Sequence, residues 1–341
     1  MRRRTSPHTP MSTLSHTLLI ALLLLTPTFV RAQDELIPLT DFASWTMYKG
    51  FDGGLYHRSN DLPIDHRNGG LRALARIVPR DTTGAIDTVR GRIVLLSIGM
   101  SNATQEFSAF RTLAMADSTR NPRVVIVDGA QGGQTAAIIA KDTARFWTVV
   151  DERLRQAGVT RAQVQVAWIK EANARPTGTF PGHADTLQGQ LTTIAQILRR
   201  RFPNMAAGYL SSRTYGGYAT TTLNPEPYAY ESGFAVKWLI DDQIVGVPEL
   251  GYEGDDRRAP WLAWGPYLWA NGTTPRSDGL LWERSDFVDD GTHPSQSGRQ
   301  KVARMLLTFF QTDLIARQWY LRRDIVSSIP LDEHPTTLDL R

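Results

Sequence analysis

From residue 92 onward, short apolar runs alternate with longer segments of helical periodicity, and this alternation constrains the fold more than any other feature. The clearest run, residues 93–98, has five apolar residues in six positions, which is typical of a strand buried on both faces. Similar runs follow at residues 124–127, 164–169, 206–210 and 261–264. The alternation predicts an α/β fold with a parallel sheet of about five strands and helices on both faces.

Four segments of helical periodicity complete this pattern: residues 142–157, 185–201, 229–245 and 297–311. The first places Phe146, Val150 and Leu154 on one face and ends at a glycine, Gly158. Residues 229–245 are apolar on nearly every side, so we expect this helix to be buried.

The first 32 residues have the pattern of a secretion signal. Three arginines precede an apolar run at residues 18–25, and a small-residue cleavage pattern follows at residues 30–32. Eight apolar residues are too few to cross a bilayer as a helix. We therefore expect cleavage near Ala32, a secreted or periplasmic mature protein, and no membrane span in it.

Removing the signal changes the charge of the chain. The whole sequence has 38 basic and 34 acidic residues, and residues 1–32 contain four arginines and no acid. The mature chain would therefore carry 34 residues of each sign. With no net basic excess, and no basic run beyond residues 199–201, nucleic acid is not an expected partner. The sequence contains no cysteine, so no disulfide can stabilise the fold.

The periodicity also suggests how the mature chain is divided. Residues 33–90 contain scattered glycines and prolines, and we interpret them as an irregular N-terminal extension packed on the main domain. Residues 91–315 contain the alternating pattern and form the predicted main domain. Residues 316–341 are interpreted as a C-terminal tail.

Three polar residues stand at positions where they could form a catalytic triad. Gly99 ends the first predicted strand, so Ser101 follows at the sheet edge where active sites of open α/β folds lie. His293 belongs to the sequence Asp-Gly-Thr-His just before the last predicted helix. Asp290, three residues earlier, can accept the imidazole N–H and stabilise the imidazolium. These residues predict a nucleophile, a base and an orienting acid.

Four short blocks, each at a strand or helix boundary, resemble those of the SGNH (GDSL-type) hydrolases, a superfamily of secreted esterases. They are Gly-Met-Ser-Asn at 99–102, Asp-Gly-Ala-Gln-Gly-Gly-Gln at 128–134, Lys-Glu-Ala-Asn at 170–173, and Asp-Gly-Thr-His at 290–293. The resemblance extends from residue 93 to about 312. It implies a flavodoxin-like, three-layer α/β/α sandwich and catalysis without a cofactor or metal.

The resemblance also implies an oxyanion hole. Its donors would be the Ser101 N–H, a glycine N–H in the second block, and the side-chain N–H of Asn173 in the third. Gly132 and Gly133 both fit the glycine position, and the sequence does not choose between them.

Two departures from the family pattern are visible. Met100 stands where the usual Gly-Asp-Ser has aspartate, and Glu171 stands where the usual Gly-x-Asn-Asp has glycine. The Gly-x-Ser-Asn form is similar to the branch that includes sialate O-acetylesterases and carbohydrate acetylesterases. The resemblance therefore implies a serine esterase that removes acetyl or other short acyl groups from a small-molecule or glycan ester.

Other classes fit less well. An α/β-hydrolase nucleophile elbow needs Gly-x-Ser-x-Gly, and here the last position is Ala103. The chain has no His-Glu-x-x-His motif, paired-carboxylate cluster or cysteine site for a hydrolytic metal. A non-catalytic glycan-binding or scaffold protein on a degenerate SGNH fold remains the alternative, motivated by Met100 and Glu171.

Substrate contacts are predicted on segments that meet the same sheet edge. Arg213 and Tyr215 follow the fourth predicted strand, where they could bind a carboxylate and stack on a sugar ring. Trp264 ends the fifth strand, and the same residue could instead pack in the core. Asn102 and Gln105, on the helix that follows Ser101, are further candidates. The sequence does not indicate an oligomeric state.

Overall fold

Five parallel strands form the central sheet of the computed structural model, which describes residues 36–327. In chain order they are β1 (Ile93–Gly99), β2 (Val124–Asp128), β3 (Val164–Lys170), β4 (Ala207–Leu210) and β5 (Trp261–Trp264). Their order across the sheet is β2-β1-β3-β4-β5, which is the flavodoxin-like order. The predicted α/β fold with a five-stranded parallel sheet is confirmed.

The helices of the described region surround this sheet. They are α1 (Ile64–Leu74), α2 (Ser101–Ala116), α3 (Ala136–Ile139), α4 (Arg145–Gln156), α5 (Gly182–Arg201), α6 (Tyr228–Ile244), α7 (Gln296–Thr312), α8 (Ala316–Tyr320) and α9 (Arg323–Val326). The four helices predicted from periodicity correspond to α4, α5, α6 and α7, with ends that differ by up to three residues. No residue of α6 is exposed, as its apolar sequence predicted.

Two buried clusters lie on opposite faces of the sheet. Every residue of β1 is buried, and its side chains alternate between the clusters, as the period of a strand requires. Val94 and Leu96 pack with α4, α5 and α6, whereas Ile93 and Leu95 pack with α2, α7 and α8. The result is three layers, with β1 between β2 and β3 at the point where the strand order reverses. Binding crevices of open α/β sheets form at the carboxyl ends of strands at such a point.

Residues 36–90 are less irregular than the sequence suggested. They include α1 and a two-stranded antiparallel ribbon, Met47–Tyr48 with Phe51–Asp52. The interpretation of this region as irregular is wrong at α1, because two adjacent glycines weaken its helical signal. A Cβ on Gly69 would overlap Tyr252, and one on Gly70 would lie 2.6 Å from Trp261, so close packing requires both glycines.

Both ends of the described chain pack on the sheet. Leu39, Tyr48 and Tyr56 belong to one buried cluster, and Trp319 and Tyr320 belong to the other. The predicted tail therefore begins with α8, which is part of the core. The predicted signal and the last 14 residues of the tail, 328–341, lie outside the described residues.

No helix between residues 36 and 327 is both long enough and apolar enough to cross a membrane.

Candidate active site

Ser101 is the first residue of α2 and lies two residues beyond the end of β1. Gly99 is the last residue of β1, and a Cβ there would lie 2.6 Å from the carbonyl oxygen of Lys170 on β3. A glycine is therefore required for β1 to end beside β3 and lead directly into the helix. The first N–H groups of a helix have no intrahelical acceptor and form its positive end. The Ser101 side chain thus stands at a helix terminus that favours negative charge.

The predicted triad residues form a continuous chain of hydrogen bonds. Ser101 Oγ lies 2.8 Å from His293 Nε2, although the two residues are 192 positions apart. His293 Nδ1 lies 2.5 Å from Asp290 Oδ2. Oδ1 of the same carboxylate accepts the backbone N–H groups of Thr292 and His293, both at 2.9 Å. The carboxylate therefore fixes the loop and the imidazole ring together.

The Asp290 carboxylate is stabilised in its charged form. Burial by itself would raise its pKa, but hydrogen bonds from the His293 side chain and from the two backbone N–H groups outweigh that effect. The pKa of Asp290 is therefore held below its ordinary value. An ionised Asp290 accepts a hydrogen bond from the Nδ1–H group of His293, so that Nε2 is left unprotonated and can act as a base toward Ser101.

The loop that carries Asp290 and His293 is anchored on two sides. The Nδ2 group of Asn102 on α2 donates to the carbonyl oxygen of Thr292 at 2.8 Å, and the Thr220 N–H donates to that of Asp290 at 3.0 Å. Gly291 has a φ of 63°, and a Cβ there would overlap the carbonyl oxygen of Tyr218. Only glycine is compatible with both the positive φ and the lack of space for a Cβ.

Of the predicted oxyanion donors, the two candidate glycines lie near Ser101, but Asn173 is not among the residues that line the Ser101 cavity. A Cβ on Gly132 would lie 3.9 Å from the Ser101 Cβ, and Gly133 lines the same cavity as Ser101, so both glycines are close to the nucleophile. Asn173 instead lines a neighbouring cavity. Its Nδ2 donates to Gln190 at 2.7 Å, and its Oδ1 accepts the Ala137 N–H at 3.2 Å. The structure does not bring the Asn173 side chain into the Ser101 cavity.

The cavity at Ser101 has a volume of about 260 Å³. Its lining residues are Met100, Ser101, Asn102, Gly133, Ala174, Arg213, Leu223, Asn224, Thr292 and His293. A larger cavity of about 640 Å³ is lined by residues from 77–123 and 318–324, with none of the triad among them. The smaller cavity is the one lined by Ser101 and His293. Met100, which departs from the family pattern, is part of its wall.

The predicted substrate contacts are only partly present in this cavity. Arg213 and Asn102 line it, and the contact of Asn102 with Thr292 also holds the His293 loop. Trp264 does not line it, because its indole is buried and donates to the carbonyl oxygen of Leu55 at 2.8 Å. The structure therefore places Trp264 in the core, which is the alternative that the sequence left open, and not in the wall of this cavity.

Two further predicted contacts are also absent from the lining. The Tyr215 ring packs edge-to-face against Tyr218, with ring centroids 4.9 Å apart. Gln105 is not among the residues that line the cavity, and its buried Oε1 has no partner among the described residues. The sequence placed both residues near the correct sheet edge but could not predict the direction of their side chains.

Asn224 is a cavity residue that the sequence did not indicate. It is 4% exposed, its Nδ2 donates to the carbonyl oxygen of Asn173 at 3.2 Å, and its Oδ1 has no partner within residues 36–327. It lies in the long connection between β4 and α6, which has no motif. The only available signal was its position after a strand that ends at this edge.

A buried ion pair lies next to the site. Lys170 Nζ, at the end of β3, lies 2.6 and 2.5 Å from the two carboxylate oxygens of Glu106 on α2, and both side chains are fully buried. Burial, together with the positive charge of Arg213, lowers the pKa of Lys170 to about 8 despite the nearby Glu106 carboxylate. Among residues 36–327, no group of three or more histidine and acidic side chains is arranged to hold a metal ion.

No family model and no curated protein matches the chain. Among solved structures, the chain is similar to a proposed acylhydrolase from Bacteroides fragilis, at 10% identity and a TM-score of 0.39, over 76% of this chain and 100% of that one. It is also similar to the periplasmic domain of a lipopolysaccharide acetyltransferase from Salmonella ser. Paratyphi A, at 15% identity and a TM-score of 0.35, over 74% and 97% of the two chains. At such low identities and TM-scores, these similarities do not indicate the function, and only the residues of the site can.

Proposed function

We propose that the chain is a secreted serine esterase of the SGNH type, which hydrolyses acetyl or other short acyl esters of a carbohydrate. The observation that supports this most strongly is the hydrogen-bonded chain from Ser101 through His293 to Asp290 at the carboxyl edge of the sheet. This arrangement supplies a nucleophile, a base and an orienting carboxylate, which are the groups that acyl transfer requires.

In the proposed reaction, Ser101 Oγ attacks the ester carbonyl carbon while His293 Nε2 takes the hydroxyl proton. The resulting imidazolium is stabilised by Asp290. The tetrahedral intermediate collapses, the C–O bond to the alcohol breaks, and His293 returns the proton to the departing alcohol oxygen. Water then attacks the acyl-enzyme by the same route and releases the acid.

The oxyanion of the intermediate would be stabilised by backbone N–H groups. The Ser101 N–H lies at the positive end of α2, and Gly132 or Gly133 supplies a second donor from the loop after β2. Loss of one such donor typically costs about 3 kcal/mol of transition-state stabilisation. Asn173 is not included as a donor, because its side chain contacts Gln190 and Ala137.

The size of the cavity supports a short acyl group. Its volume of about 260 Å³ is below the roughly 300–1,000 Å³ of sites that enclose drug-sized ligands. A carbohydrate as the alcohol is proposed from the resemblance to carbohydrate acetylesterases, and export from the signal-like residues 1–32.

The proposal is tested by assaying the purified chain with 4-nitrophenyl acetate and acetylated sugars, beside Ser101→Ala. We expect hydrolysis by the wild type and no turnover by the variant. Ser108→Ala, which changes an exposed serine on the same helix, is the matched control and should keep wild-type activity. Equal hydrolysis by wild type and Ser101→Ala would contradict the proposal, as would the absence of hydrolysis on all of these esters.

A further inference from the structure

Arg213 is a buried cation in the wall of the candidate active site. It lies three residues beyond the end of β4 and is 4% exposed. It lines the cavity that also contains Ser101 and His293. Arginine is seldom buried to this extent unless its charge is paired.

The Arg213 guanidinium makes no hydrogen bond or ion pair with any residue in 36–327, and its Nε is buried without a partner. Arg276, which is 6% exposed, provides an example of a buried arginine whose charge is paired. Its guanidinium binds the carboxylate of Asp278 and donates to the carbonyl oxygens of Tyr267 and Trp269. Arg213 therefore has the burial of a paired arginine without the pair.

The acids near Arg213 have other partners. Glu106 is bound to Lys170, and the Glu226 carboxylate accepts three N–H hydrogen bonds from surrounding segments. Glu171 is fully buried and accepts only the N–H of the next residue. Burial raises the pKa of Glu171 well above its ordinary value, which favours its neutral form. No carboxylate in the described region thus forms an ion pair with the guanidinium.

A buried charge without a partner costs several kcal/mol, and an anion that enters the cavity would supply the partner. A carboxylate fits best, because the planar guanidinium can donate two parallel hydrogen bonds to it. In the proposed reaction the acyl group is short and uncharged. The carboxylate would therefore have to belong to the alcohol part of the ester.

We propose that Arg213 binds a carboxylate on the alcohol part of the substrate, so that the preferred substrates are O-acyl esters of acidic carbohydrates or other hydroxy acids. This inference rests on the proposed esterase function. It assigns Arg213 the role of selecting charged esters over neutral ones of the same shape.

The test compares 3- and 4-acetoxybenzoate with the corresponding acetoxybenzamides, which have the same shape without the charge. We expect the wild type to hydrolyse at least one acid with a kcat/KM about tenfold or more above that of its amide, as a charged hydrogen-bonded pair would provide. Arg213→Met should remove this preference and leave hydrolysis of the amides within a fewfold of the wild type. Arg111→Met, which removes an exposed positive charge from α2, should leave the preference intact.

Two further measurements separate binding from folding. Arg213→Lys keeps the charge without the two parallel donors, so an intermediate preference is expected. Calorimetric titration of Ser101→Ala with the same acids and amides should show tighter binding of the acids, and Ser101→Ala/Arg213→Met should bind both equally. If Arg213→Met does not fold, the wild-type preference, Arg213→Lys and the Ser101→Ala titration decide the outcome.

Equal wild-type kcat/KM values for each acid and its amide would overturn the inference. So would an equal loss of activity on both in Arg213→Met, since that indicates a structural role. These results differ from failure of the proposed function, in which neither acid nor amide shows Ser101-dependent hydrolysis.

Discussion

The two carboxylate oxygens of Asp290 have different partners and therefore separate effects. One oxygen binds the His293 ring, and the other binds two backbone N–H groups of the loop. An amide at this position could keep the loop contacts through its oxygen but would present its NH₂ group to Nδ1, which favours the wrong tautomer.

We expect Asp290→Asn to lower kcat by about 10⁴-fold, the size of effect seen when the orienting aspartate of a serine-protease triad is replaced. Initial rates on 4-nitrophenyl acetate measure this loss. Asp289→Asn, at the exposed neighbouring residue, is the control and should change kcat little. A loss of less than tenfold in Asp290→Asn would show that this carboxylate does not orient the base.

Glu171 predicts a dependence of stability on pH. Its pKa in the folded chain lies well above the ordinary value of 4.5, so the folded state holds a proton that the unfolded state releases. The free energy of unfolding should therefore fall as pH rises from about 4.5 toward the folded pKa. Glu171→Gln should reduce this fall, as measured by denaturant unfolding between pH 5 and pH 8.

The control for this experiment is Glu249→Gln at an exposed position, which should keep the wild-type dependence. An identical pH dependence in Glu171→Gln and wild type would mean that the folded chain does not hold Glu171 in its protonated form.

For individual site residues, the sequence predicted the position in the fold better than the direction of the side chain. Ser101 and His293 were predicted because a strand end and a short Asp-x-x-His spacing place them at one edge. Asn173 was predicted from the family resemblance and Trp264 from its position at a strand end, but their side chains bind Gln190 and the carbonyl oxygen of Leu55. Such partners depend on packing between distant segments, which no local pattern encodes.

At the element scale, the loop before α7 depends on one glycine. Gly291 combines a positive φ with a Cβ direction blocked by Tyr218, so Gly291→Ala would strain the backbone and displace the loop. We expect it to lower kcat/KM by at least tenfold and to destabilise the fold by more than the roughly 1–3 kcal/mol of backbone strain alone.

Gly279→Ala is the matched control for this prediction. Gly279 has a φ of 84°, and a Cβ there would meet nothing within 4 Å. The Gly279→Ala variant should show the destabilisation that backbone strain causes, without a loss of activity. Thermal unfolding and kcat/KM of the two variants measure both effects. Equal kcat/KM values in Gly291→Ala and Gly279→Ala would show that the overlap of a Cβ with Tyr218 does not displace the loop.

Most helices and strands were predictable from the local sequence, but α1 was not. The five strands are short apolar runs, and α4 to α7 each repeat apolar residues at helical spacing. Helix α1 contains an adjacent pair of glycines that pack against Tyr252, Ile315 and Trp261. Its stability therefore comes from tertiary contacts, which override weak local propensity.

At the scale of the whole molecule, the C-terminal segment is part of the core. Trp319 in α8 is 2% exposed and packs against Phe310 of α7, with ring centroids 5.5 Å apart. We expect Trp319→Ala to lower the free energy of unfolding by about 3–5 kcal/mol, the usual cost of deleting a buried aromatic side chain. Denaturant unfolding measures this change.

Trp45 provides the control, because it is 84% exposed. Trp45→Ala should change the free energy of unfolding by no more than about 0.5 kcal/mol. Equal effects at the two tryptophans would show that α8 does not stabilise the domain and that the predicted tail begins where the periodicity ended.

If Ser101 is a nucleophile activated by His293, it should react with a fluorophosphonate, a reagent for activated serines. The experiment treats the intact protein with this reagent and maps the adduct by mass spectrometry. We expect one adduct per chain, on Ser101, and little labelling of His293→Ala. An adduct on another residue, or no adduct in a protein that hydrolyses esters, would show that Ser101 is not the activated nucleophile.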